Sequence, residues 1–184
     1  MTSPSSVQGA TPVGGKWLRD YCLTLTREDF ERQHPHPWLV LGLEEGEEDL
    51  TLHTVAGSEL GILGGGQRPL LSLRSGSISF LPLRERPGHP LEDGLTVGRS
   101  RDNDVVLQHA SVSKLHARFT LKAGQWWLAD AGSLNGTFMS FRPVPSGQGL
   151  PIPDRAPLKF GSLRCTVLLR SGDLHDVLAG GTAR

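Results

Sequence analysis

Apolar and polar positions alternate most regularly from Leu115 to Leu121, where Leu115, Ala117, Phe119 and Leu121 face one way and His116, Arg118 and Thr120 the other. A period of two over this length predicts a half-buried strand. Shorter runs of the same kind predict further strands at Leu95–Val97, Val105–Leu107, Trp126–Ala129, Leu158–Phe160 and Leu163–Leu169, with turn-forming Gly, Asn, Asp and Pro between them. Before them, Leu70–Leu83 holds Ile78, Phe80 and Leu83 in a strand-like run, and Trp38–Leu43 reads as a short buried strand. Only the N-terminal part departs from this pattern. Trp17, Leu18, Tyr21, Cys22 and Leu25 recur at helical spacing and predict an amphipathic helix from Lys16 to Leu25. A second short helix starts at Thr26, capped by its own side chain with Asp29 three residues on, and stops at Pro35 and Pro37.

The expectation is a mainly β protein: a β-sandwich carrying a small α+β N-terminal extension. Residues 1–15, rich in Ser, Thr, Pro and Gly, are expected to be disordered. Residues 16–70 form the extension, 71–171 the sandwich and 172–184 a C-terminal tail with one helical turn. Within the extension, Glu44–Asp49 is a solvated turn, Leu50–Val55 a return strand and Ala56–Pro69 a glycine-rich linker. The segment 143–153, with Val144 and Ile152, is a loop or irregular edge.

Composition narrows the function. The 23 glycines and 13 prolines suit an all-β chain. Formal charge is zero, but residues 1–75 carry 6 Lys+Arg against 10 Asp+Glu, while residues 76–171 carry 12 against 7. The basic part favours an anionic partner, at a net charge too small to argue for nucleic acid. Opposite signs, and an apolar helix face too large for the extension to bury alone, predict that the extension docks on the sandwich. No stretch is long enough to span a bilayer, and the N-terminus lacks the basic and apolar regions of a signal peptide. Cys22 and Cys165 read as buried free thiols, so the expected location is cytoplasmic. After Gly61–Gly66 come Gln67 and Arg68, where a phosphate loop needs Lys and a hydroxyl residue. His34 and His36 lack a second ligand pair, so neither a metal nor a cofactor is expected.

Three short pieces lie at the ends of predicted strands, with their small polar residues in the loops: Gly98-Arg99, Ser113-Lys114-Leu115-His116 and Asn135-Gly136-Thr137. In order and spacing they resemble the forkhead-associated (FHA) domain, a β-sandwich that binds phosphothreonine peptides, over roughly Ser75 to Arg170. A phosphate monoester carries about −1.5 to −2 charges, and a guanidinium matches it with two parallel hydrogen bonds. The resemblance places Arg99 and Ser113 on the phosphate, adds Lys114 beside them, and sets Asn135 on the main chain of the bound peptide. Leu134 stands where many family members carry a polar residue, so a backbone contact is what remains to it. Gly98, His116 and Gly136 are implied to brace the binding loops. No catalytic residue is implied. The implied function is phosphothreonine-dependent protein recognition in Ser/Thr kinase signalling, by a chain that is not an enzyme. The alternative is a phospho-independent scaffold, which need not keep Arg99, Ser113 and Asn135.

Overall fold

A computed structural model describes residues 13–42, 78–86, 88 and 94–180. The expected disorder up to residue 12, the acidic turn, the strand at 50–55 and the glycine-rich linker lie outside the described residues. Chain order begins with β1 (Val13–Gly14), α1 (Gly15–Cys22), α2 (Arg27–Gln33), β2 (Trp38–Leu41), β3 (Ser79–Pro82), β4 (Leu95–Gly98) and β5 (Val105–Val106). It continues with β6 (Ala117–Lys122), β7 (Gln125–Asp130), β8 (Thr137–Met139), β9 (Arg142–Pro143), β10 (Leu150–Pro151), β11 (Pro157–Phe160), β12 (Leu163–Leu168) and α3 (Ser171–Ala179). Among the described residues the strands form two sheets, ordered β1-β3-β2-β12-β11-β8-β9 and β10-β7-β6-β4-β5. All their pairings are antiparallel except β4 with β5.

Alternation along the strands builds two cores. Leu39, Leu41, Leu81, Cys165 and Val167 point between the sheets, where they meet Leu95, Val97, Phe119, Leu128 and Phe160. Their neighbours Trp38, Val40, Phe80 and Leu168 point the other way, onto Leu18, Cys22, Phe30, Leu174 and Leu178 of the helices. The result is three layers, with the larger sheet covered on both faces. A strand covered on both sides needs apolar residues throughout, and β2 supplies them as Trp-Leu-Val-Leu.

Several expectations change here. β2, assigned to the extension, lies inside the sandwich sheet between β3 and β12. A boundary near residue 70 therefore cuts through paired strands. Phe80 faces the helices, and Leu81 with Leu83 fills the sandwich. Helix α1 ends at Cys22, not Leu25, because the His175 ring meets the carbonyls of Cys22 (3.2 Å) and Leu25 (3.0 Å) and Thr26 caps the next helix. Of the face expected on that helix, Leu18 is buried while Trp17 stays outside, stacked on Tyr21. Residues 171–179 are a packed helix and not a tail. Leu115 precedes β6, and Leu121 is exposed at its far end, so the alternation buries only Ala117 and Phe119. Val144 and Ile152, given to a loop, enter the core, and β10 pairs with β7.

Register sets where the loops gather. Thr137 pairs with Phe160, Ala117 with Asp130 and Val97 with Ala117. The segments after β4, before β6, after β7 and between β11 and β12 therefore emerge at one end. The turn joining β8 to β9 lies at the other, with Ser140 (φ 49°) and Phe141 (φ 67°) both in the left-handed region.

Candidate functional site

Two loops are laced together beside β4. The Arg99 amide donates to Ser113 O (2.8 Å), and the Ser100 amide donates to Lys114 O (3.1 Å). The buried Asn103 carboxamide donates to Ser100 O (2.9 Å) and to Lys114 O (2.6 Å), so this loop cannot drift from that strand entry. A Cβ on Gly98 would stand 2.2 Å from Lys114 O, which explains why glycine is required there. Beneath the loop, the carboxylate of Asp104 accepts from the Thr96 amide (2.8 Å) and hydroxyl (2.7 Å).

His116 ties the second loop to the third. Its Nδ1 accepts from the Ser113 amide (3.0 Å), which leaves the proton on Nε2, 3.2 Å from Gly136 O. The ring is fully buried, edge-on to Phe160, and burial pushes its pKa below the ordinary 6.5 despite the opposing effects of Gly136 and Asp130. The third loop is organised by Asp130. Its carboxylate accepts from the Gly132 and Ser133 amides (2.8 and 2.9 Å) and from the Ser133 and Thr137 hydroxyls (both 2.6 Å). Burial alone would raise this carboxyl's pKa, but the hydrogen bonds outweigh it and hold it below the ordinary carboxylate value. Gly136, at φ +78°, turns the chain where a side chain would meet the Phe138 ring.

What these ties leave at the surface is a set of polar groups with spare capacity. Arg99 is exposed; its Nε donates to Val112 O (3.2 Å), and its two Nη nitrogens have no partner among the described residues. Ser113 Oγ accepts from the Leu134 amide (3.0 Å), so its own proton remains free to donate. Lys114 is exposed beside it. Asn135 donates through Nδ2 to Ser111 O (2.8 Å), which keeps its Oδ1 and second N–H available. Ser111 also accepts the Ser162 amide (2.8 Å) and so joins the β11–β12 turn to the same rim.

All eight residues singled out in the sequence thus lie at one end: Arg99, Ser113, Lys114, Leu134 and Asn135 on the rim, Gly98, His116 and Gly136 beneath. Leu134 keeps only part of its backbone for a contact: its amide donates to Ser113 Oγ, which leaves the carbonyl, and its side chain is exposed. Sequence reasoning missed Asn103 and Asp130, and read Ser111 as a local backbone partner without its ties to Asn135 and Ser162. Asp130 had a readable signal, since Asp followed two and three residues later by Gly and Ser is a turn in which the carboxylate takes the backbone amides.

The family model for the FHA domain matches residues 95–161, the stretch that holds these loops. This chain contains an FHA domain. The glycogen accumulation regulator GarA of Mycolicibacterium smegmatis is 43% identical to it over 51 residues, which are 28% of this chain and 32% of GarA. The FHA domain-containing protein FhaB of Mycobacterium tuberculosis is 31% identical over 70 residues, 38% of this chain and 44% of FhaB. The match thus spans a third to under a half of those relatives. Among solved structures, Mycobacterium tuberculosis EmbR in complex with a low affinity phosphopeptide is 25% identical, at a TM-score of 0.39, over 42% of this chain and 20% of that one.

Proposed function

We propose that the FHA domain of this chain binds phosphothreonine-containing segments of partner proteins, and that the chain acts as a recognition protein in Ser/Thr kinase signalling without catalysing a reaction. The observation that carries the reading is the pairing of Arg99, whose Nη nitrogens are unpartnered among the described residues, with the free hydroxyl proton of Ser113 on a loop fixed to the same strand. A phosphate between them accepts charge-assisted hydrogen bonds worth about 1.5–3 kcal/mol each. Lys114 adds a mobile charge, and Asn135 is free to bond the peptide main chain. Nothing in this arrangement activates a nucleophile. His116 has both ring nitrogens engaged with backbone and is buried, so it braces the loops.

A cytoplasmic setting fits the two buried free thiols, Cys22 and Cys165, which burial pushes up in pKa and makes unreactive. No helix among the described residues is long and apolar enough to cross a membrane. The test is calorimetry with three matched peptides carrying phosphothreonine, phosphoserine or threonine. Binding of the phosphothreonine peptide alone, or about fourfold over phosphoserine for one buried methyl, is expected. Equal affinity for the phosphorylated and unphosphorylated threonine peptides would defeat the reading and favour a phospho-independent scaffold.

A further inference from the structure

Leu134 is 89% exposed, yet its backbone is held to the rim by a hydrogen bond. Its amide is fixed to Ser113 Oγ at 3.0 Å, and the next residue, Asn135, is fixed to Ser111 O at 2.8 Å. A leucine with that exposure on a flexible tip would be unremarkable, since isolated apolar residues are common on surfaces. Here the backbone that carries the side chain is tied down beside the hydroxyl assigned to the phosphate. Its Cα lies one bond beyond that amide nitrogen, about 4 Å from Ser113 Oγ, and an extended peptide advances about 3.3 Å per residue. The leucyl group is therefore within reach of the residues immediately flanking a bound phosphothreonine.

We infer that Leu134 is a specificity residue of this FHA domain, selecting an aliphatic or aromatic residue one or two positions from the phosphothreonine. The inference rests on the phosphothreonine reading and adds the class of peptide. The polar groups of the rim are committed to the phosphate and the peptide main chain, so they distinguish few side chains. Leu134 offers the apolar contact that does. Covering its side chain removes apolar area on both partners, and partial burial of a leucine corresponds to roughly a five- to tenfold change in affinity. A charged residue at the same peptide position would gain nothing and lose hydration.

Phe141 supplies an internal control. It is 91% exposed, but it sits in the β8–β9 turn at the opposite end of the sandwich. The test uses the full chain and fluorescence anisotropy with phosphothreonine peptides in which each position from two before to two after the phosphothreonine is Leu, Ser or Glu in turn. At one of these positions Leu should bind about five- to tenfold tighter than Ser or Glu. Leu134→Ser should remove that preference while phosphothreonine binding persists, Leu134→Lys should turn it toward Glu, and Phe141→Ser should change nothing. Phosphothreonine binding with no Leu preference at any position, or a preference that survives Leu134→Ser, overturns the inference and leaves the phosphothreonine reading standing. Failure of every phosphopeptide to bind the unmodified chain overturns both.

Discussion

At the loop end, the groups at the surface are the exposed Arg99, Lys114 and Asn135 and the half-buried Ser113, and the groups that hold them are buried and polar: Asn103, His116, Asp130 and Thr137. On the helical face the proportions are reversed. Leu18, Cys22, Phe30, Leu174 and Leu178 seal the larger sheet, and polar groups serve mainly to pin the helices around that seal. The chief of these is Asp173, almost fully buried, which receives Arg170 (3.1 Å), Arg155 (3.4 Å) and, at longer range, Arg27 (3.9 Å). Apolar packing tolerates small displacements but says little about direction. Hydrogen bonds fix direction, which is what a site with unmet donors aimed at one anion needs. The helical layer therefore contributes stability, and the loop end uses part of it to hold polar groups in place.

The comparison is broken most severely by removing either buried carboxylate. Asp173→Ala leaves Arg155, whose side chain is only 10% exposed, without its counter-charge, and should cost about 3–5 kcal/mol in denaturant unfolding. Affinity of the folded fraction for phosphopeptide should not change. Asp130→Ala leaves the Gly132 and Ser133 amides and the buried Thr137 hydroxyl unpaired; about 3 kcal/mol of stability should go, and binding with it. An Asp173→Ala protein that stays folded yet binds poorly would mean the two regions are coupled.

Acid should weaken the fold most through His36, on the helical side. His36 is held at about 4 by burial, helped by the charges of His34 and Arg84, against the ordinary 6.5. His34 and His116 are also lowered, chiefly by burial. For a histidine with a depressed folded pKa, the unfolded chain binds the proton more readily. Stability is therefore complete above about 6.5 and falls as pH drops toward the folded value. For His36 this amounts to at most about 3 kcal/mol between pH 6.5 and 4. His36→Gln should flatten that part of the profile measured by thermal unfolding, and an unaltered slope would assign the loss elsewhere. The smallest effect sharpens the contrast from the rim: Lys114→Ala should leave the melting temperature unchanged and weaken phosphopeptide binding by about 1 kcal/mol at low salt, and less as salt is raised.

The strands of the sandwich were legible because Ala117 and Phe119, or Leu158 and Phe160, flank a polar residue that is less buried than they are, Arg118 or Lys159. β2 was misplaced for the opposite reason. A strand covered on both faces, such as Trp38–Leu41, shows no alternation, so neither its partners nor its direction can be read from it. The helix at 171–179 was underestimated because its burial depends on Phe30 and Cys22, far away in sequence. In the site, Arg99, Ser113 and Asn135 stood out through their spacing. Asn103 and Ser111 did not, since their roles rest on carbonyls and amides brought near only by the fold.

The central claim is that the rim binds and the groups beneath it merely hold. Arg99→Ala tests it most directly, because Arg99 is exposed and its removal costs the loops only the Nε bond to Val112 O (3.2 Å), while the tie through its backbone amide to Ser113 stays and should hold the fold. Calorimetric titration with a phosphothreonine peptide and its unphosphorylated counterpart, with thermal unfolding on the same samples, should show an unchanged melting temperature and loss of at least tenfold in affinity for the phosphopeptide alone, about 1.4 kcal/mol or more. Undiminished phosphopeptide affinity in a normally folded Arg99→Ala protein would contradict the account.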